Sequence, residues 1–234
     1  MVHYFHPLSW VRQMKLILGN GVPPWMEVAL EEARLAKGIH EDFEPTITMV
    51  KKYHNHCNIF DDPKTLKTVE DEDLSWCASF VNWCLDQTDY KGSKSAGSQS
   101  ILWKEGKLFK RINKPMLGAI VVMTNHRKDN GKKTSFGHVT FLYGVDSNED
   151  LICLGGNQGQ TIKFSRYKKE GVSGRLTMNI GNEKNVVLEQ KFNGFFLPIN
   201  YPTNTNDNLN TYNIKKLNNQ ISKTIITKEN EGTR

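Results

Sequence analysis

The sequence predicts an α+β fold, with helices in its first half and an antiparallel sheet in its second. Two observations carry this. Around Trp25 and around Cys77, apolar residues recur three and four positions apart, the period of a helix with one buried face. Beyond Pro115 the pattern changes to short runs of apolar and β-forming residues bounded by glycines. Helices followed by strands, rather than alternating with them, is the α+β arrangement.

Taken in order, residues 1–22 read as a leader element with a helix from Ser9 to Leu18, stopped by Gly19 and Gly21. Pro23 and Pro24 open a helix from Trp25 to Lys37. Trp25, Val28, Ala29, Glu32 and Ala33 follow the helical period there, and Gly38 ends it. A second helix is expected from Pro45 to His54, then a polar loop from Asn58 to Asp73. The Cys77 helix follows. Gly92 to Ser100 reads as a loop, and Ile101 to Gly106 as a short helical turn.

The strands expected are Ala119 to Met123, His138 to Tyr143, Leu151 to Leu154, Ile162 to Phe164 and Asn193 to Leu197. Val186 to Glu189 is a candidate hairpin partner. The basic stretch from Asn125 to Phe136 reads as a long loop, and Lys168 to Lys191 as an insertion before the last strand. After Pro198 the chain is rich in Asn, Thr and Lys and poor in apolar residues, the composition of a loosely held tail. The expected organisation is therefore a leader at 1–22, one domain at 23–198 and a tail at 199–234.

A chain of 234 residues with 38% hydrophobic and 24% charged residues fits a globular protein with a moderate core. No run approaches the roughly 18 apolar residues a membrane-spanning helix needs. Met14 to Leu18 is broken by Lys15 and lacks a small-residue cleavage site, so the expected route out of a cell is signal-peptide-independent. The net charge of +6 reads as a solvated basic surface or as attraction to a polyanion such as an anionic cell wall. No nucleic-acid-binding pattern accompanies it, so no nucleic-acid partner is expected.

Cys57, Cys77, Cys84 and Cys153 are too few and too irregularly spaced for a disulfide framework. Cys77 and Cys84 stand two turns apart, roughly 10 Å along one helix, which is beyond disulfide reach. Cys84 and Cys153 lie in apolar runs and read as small core hydrophobes.

Cys77 differs. It opens a helix whose apolar stripe is Phe80, Val81, Cys84 and Leu85, and Asp73 or Ser75 is placed to cap the helix start. There the positive end of the helix dipole is expected to favour the thiolate. His138 heads a strand directly after Gly137, on the face shared with Thr140 and Leu142. Asn157 and Gln158 follow Gly155-Gly156 at the end of the next strand.

A cysteine on a helix, a histidine on a strand and an amide on the next strand are the parts of a cysteine hydrolase. The imidazole takes the thiol proton and returns it to the leaving amine, and the amide oxygen orients the ring. The N–H of Cys77 is placed to donate to the oxyanion. This chemistry calls for no cofactor and no metal. His54-Asn55-His56-Cys57 holds zinc-ligating residue types, but at spacings that do not match the usual sites. His126 lies in the basic loop and reads as solvated. Trp76 and Trp83 read as packing residues, with Trp76 also a candidate for the substrate cleft.

Ser75-Trp76-Cys77-Ala78-Ser79-Phe80-Val81-Asn82-Trp83-Cys84-Leu85 resembles the cysteine block of papain-like bacterial cell-wall hydrolases of the CHAP and NlpC type. Gly137-His138-Val139-Thr140-Phe141-Leu142-Tyr143-Gly144 and Leu154-Gly155-Gly156-Asn157-Gln158 resemble its other two blocks, in the same order. The likeness covers roughly residues 23–198. It implies a papain-like fold, with the nucleophile helix packed on an antiparallel sheet. It also implies a peptidoglycan amide as substrate, Cys77 as nucleophile, His138 as base and Asn157 as orienting residue. Gln158 is the rival for that last role. The neighbouring classes are acyl transfer by the same chemistry and an inert wall-binding protein on the same fold. The expected settings are an antibacterial effector, with a secretion machine and a cognate immunity protein as partners, and a phage lysin.

Overall fold

The computed structural model describes residues 21–57, 75–203 and 209–223. The leader helix, the polar loop from Asn58 to Asp73 and Asp73 as a cap lie outside these residues. Three helices come first: α1 (Pro24–Ala36), α2 (Thr46–His56) and α3 (Cys77–Asp86). Pro24 occupies the first turn of α1, where its missing N–H costs nothing, and Lys37 ends that helix in a left-handed conformation. A single turn, α4 (Ser100–Trp103), leads to the strands.

The strands are β1 (Phe109–Ile112), β2 (Ile120–Arg127), β3 (Lys133–Val145), β4 (Leu151–Gly155), β5 (Lys163–Tyr167), β6 (Gly174–Ile180) and β7 (Glu183–Pro198). Every pairing is antiparallel, in the order β1-β7-β2-β3-β4-β5, with β6 added on β7. The mixed helix-and-sheet architecture agrees with the α+β, papain-like expectation. The last helix, α5 (Ile214–Lys223), packs on β5 and α1.

Helix α3 sits against α1 and α2 on one side and β3 and β4 on the other. That central position explains why it is buried almost all round, Ala78, Ser79 and Asn82 included, rather than along the expected stripe alone. Its polar side chains are matched inside the protein. His54 Nδ1 meets Ser79 Oγ at 3.0 Å, and Asn82 Nδ2 donates to the Ser95 carbonyl at 2.7 Å. Phe80 packs edge-on to Tyr53, with ring centroids 5.5 Å apart, and lies 6.4 Å from Phe141 of β3. Burying such a ring contributes about 2–3 kcal/mol and fixes the helix on the sheet.

Four expectations are corrected. The basic stretch from Asn125 to Phe136 is mostly not a loop, because β2 and β3 continue through it as a hairpin with His126 opposite Lys133. Val186 to Glu189 is not a separate strand before the last one but part of it: β7 runs unbroken from Glu183, and its hairpin partner over this part is β6. The insertion is thus a hairpin continuous with the sheet. Past Pro198, the chain is not loosely held at α5, whose Leu217 and Ile221 are buried in the core.

Candidate active site

Cys77 is the first residue of α3, but Ser75 does not cap the helix. Trp76 occupies the N-cap position, with no side-chain cap bond, so Ser75 stands one residue too early. The thiol is buried, 2% exposed, on a helix that packs against β3. The backbone N–H groups of Val139, Ala78 and Cys77 pull its pKa down, but burial outweighs them and holds it above the ordinary thiol value. The expected thiolate is therefore corrected to a protonated thiol, since desolvation at this depth exceeds the helix-end effect.

His138 lies on β3, one residue before Val139, whose backbone N–H acts to lower the thiol pKa. Gly137 makes this possible. A β-carbon there would strike the Met123 carbonyl and the Gln99 amide nitrogen. The imidazole is buried and its pKa is lowered to about 4, chiefly by desolvation, with the Gln158 bond acting in the opposite sense. It is a neutral ring at pH 7.

The two adjacent amides part company. His138 Nε2–H donates to Gln158 Oε1 at 3.3 Å. Gln158 is buried, 3% exposed, and its Nε2 donates to the carbonyls of Cys153, at 3.2 Å, and Lys163. Two acceptors fix the NH₂ group and so turn the oxygen toward the ring, leaving no freedom to flip. Asn157 takes up a turn instead, at φ 54°, a left-handed conformation that asparagine tolerates. With Nε2 protonated, Nδ1 of His138 carries the free lone pair.

Gly155 leaves room for Thr140 of β3, and Gly156 brings the end of β4 against α3. A β-carbon on Gly156 would enter the Trp76 ring and lie 2.9 Å from Phe80 Cβ. Trp76 is accordingly in the core, 1% exposed, stacked on Tyr53 with its indole N–H donating to Glu41. This burial agrees with its reading as a packing residue and leaves the ring almost no surface to offer a cleft.

Two residues escaped the sequence reading. Gln99 donates to the Met123 carbonyl at 3.0 Å and accepts from Thr124 Oγ1 at 2.7 Å, bracing β2 where Met123 pairs with His138. Its place in a Gly- and Ser-rich stretch gave no signal. Tyr167 of β5 stacks on His138, centroids 5.6 Å apart and planes at 23°. Only a cross-strand register reveals it.

The remaining candidates stand elsewhere. His56 Nε2 lies 2.7 Å from Asp86 Oδ2, and His126 Nδ1 lies 3.2 Å from the Gly131 carbonyl. Cys84 and Cys153 are fully buried, and all four cysteines are free. Among the described residues, no group of three or more His, Cys, Asp or Glu side chains is placed to hold a metal. No helix among them is long and apolar enough to cross a membrane.

Residues 69–157 match the CHAP domain family. The matched stretch holds Cys77, His138 and Asn157 and stops one residue short of Gln158. No curated protein and no solved structure matches the chain significantly.

Proposed function

We propose that this chain, CHAP-type over residues 69–157, is a peptidoglycan hydrolase using cysteine chemistry, with Cys77 as nucleophile, His138 as base and Gln158 as orienting residue. One observation supports the roles above the rest. The His138 Nε2–H to Gln158 Oε1 bond leaves Nδ1 as the free base, on the strand against which the Cys77 helix packs.

In this reading a stem-peptide amide carbonyl lies over Cys77. Nδ1 takes the Sγ proton as sulfur attacks the carbonyl carbon, so proton transfer and C–S bond formation go together. The backbone N–H of Cys77 receives the oxyanion. The C–N bond breaks, imidazolium gives its proton to the departing amine, and a thioester remains. Water, deprotonated by Nδ1, then releases the acid and restores the thiol.

The test is release of new amines from purified peptidoglycan. Cys77→Ala should abolish it with little change in melting temperature, and activity surviving in that variant removes Cys77 from the mechanism. Mass spectrometry of the released fragments identifies the bond cut.

The proposed setting is an antibacterial effector that acts in the periplasm or wall of a target cell, where a charge of +6 draws it to an anionic surface. It would travel by a dedicated secretion machine, with an immunity protein in the producer. A neighbouring gene for a small periplasm-targeted protein supports this, whereas a holin gene points to a phage lysin.

A further inference from the structure

We propose that Tyr167 is a positioning residue for the base, its ring forming the roof of His138 and its hydroxyl locking the amide that orients it. This rests on the assignment of His138 and Gln158 above. The Tyr167 hydroxyl donates to Gln158 Oε1 at 2.9 Å, the same oxygen that accepts His138 Nε2–H. That oxygen therefore has two donors, one from each of two strands, while its NH₂ group has two carbonyl acceptors. All four directions of the amide are taken, and each bond enforces the others.

The ring acts separately. Lying at 23° to the imidazole with centroids 5.6 Å apart, it covers a face of His138 that water would otherwise reach. The hydroxyl stays a donor at all working pH values, since burial, then the nearby Cys153 and Cys77, raise its pKa well above the usual phenol value. The titratable groups around it are those two thiols, Cys77 from α3 and Cys153 from β4, and the His138 ring stacked on it from β3. A tyrosine here thus supplies an apolar roof and a fixed proton donor in one side chain. Phenylalanine keeps the first and loses the second. Leucine loses both.

The experiment follows that division on the full-length protein. The tautomer and titration of His138 are read by ¹⁵N NMR without substrate, Cys77 alkylation by iodoacetamide is timed, and amine release is measured as kcat and KM. Tyr167→Phe should lower the share of the Nε2–H tautomer and cut kcat about three- to tenfold, as loss of one buried hydrogen bond would, with KM within about twofold. Tyr167→Leu should also raise the His138 titration midpoint from about 4 toward 6.5. Unchanged tautomer and kcat in Tyr167→Phe overturn the proposal, and that variant alone decides if the leucine variant does not fold. Equal kcat losses in both variants that merely track melting temperature also overturn it. The NMR arm is independent of substrate: a wild type inactive on peptidoglycan, with His138 still responding to Tyr167, would sink the hydrolase reading and leave this one standing.

Discussion

Gln158 Oε1 accepts from His138 Nε2–H at 3.3 Å and from the Tyr167 hydroxyl at 2.9 Å, so the imidazole of β3 and the phenol of β5 share one amide oxygen. Burial sets the resting state of the two candidate groups, holding the Cys77 thiol above its ordinary pKa and the His138 ring neutral, and this has measurable consequences.

Alkylation of Cys77 by iodoacetamide should be slow at pH 7 and climb steeply above pH 9. Burial raises the thiol pKa more than the three N–H groups lower it. A rate already at plateau by pH 6 would show a thiolate–imidazolium pair instead.

Stability should fall as the solution is acidified from pH 6.5 to 4. The unfolded His138 takes a proton near 6.5, the folded one only near 4, so the unfolded state binds more protons in this window. Stability contributed by the neutral ring is complete above 6.5 and is lost as pH drops, by on the order of 3 kcal/mol. His138→Gln should flatten this part of the melting-temperature profile. Identical profiles for the two proteins would contradict a buried neutral histidine.

Gln158→Ala and Asn157→Ala should fail in different ways. The first frees the imidazole and should reduce kcat by about tenfold to a hundredfold. The second puts alanine at φ 54° and should cost about 1 kcal/mol of stability with kcat near wild type. Asn157→Gly should restore the stability. Loss of kcat in the Asn157 variants instead would return the orienting role to that residue.

Gly156→Ala should destabilise the protein by about 1–3 kcal/mol, since the added carbon enters the Trp76 ring. Pairing it with Trp76→Leu should recover part of the loss in denaturant melts. No recovery would mean the strain lies elsewhere.

Much of this site was legible from sequence because its signals are local. A helix stripe from Cys77 to Leu85 and a β-forming run from His138 to Tyr143 each declare themselves within a dozen residues. The choice between Asn157 and Gln158 was not, because it depends on which residue absorbs a left-handed turn. The β2–β3 hairpin was hidden by Lys and Arg side chains on strands that project from the core, where either face can be wet. Helix α5 was hidden by its Asn and Lys residues, as only Leu217 and Ile221, one turn apart, need to be apolar for docking. The thiol's protonation escaped for another reason: a helix start is visible in sequence, but the depth at which it lies is not.

Strand β7 lies between β1 and β2, far along the chain from both. A fragment ending at Asn157 would leave the hydrogen-bonding edge of β2 bare and β1 with no strand to join. The stretch that carries the family signature is therefore not a portable cassette. Its transplantation into another protein would require the last third of this chain to travel with it.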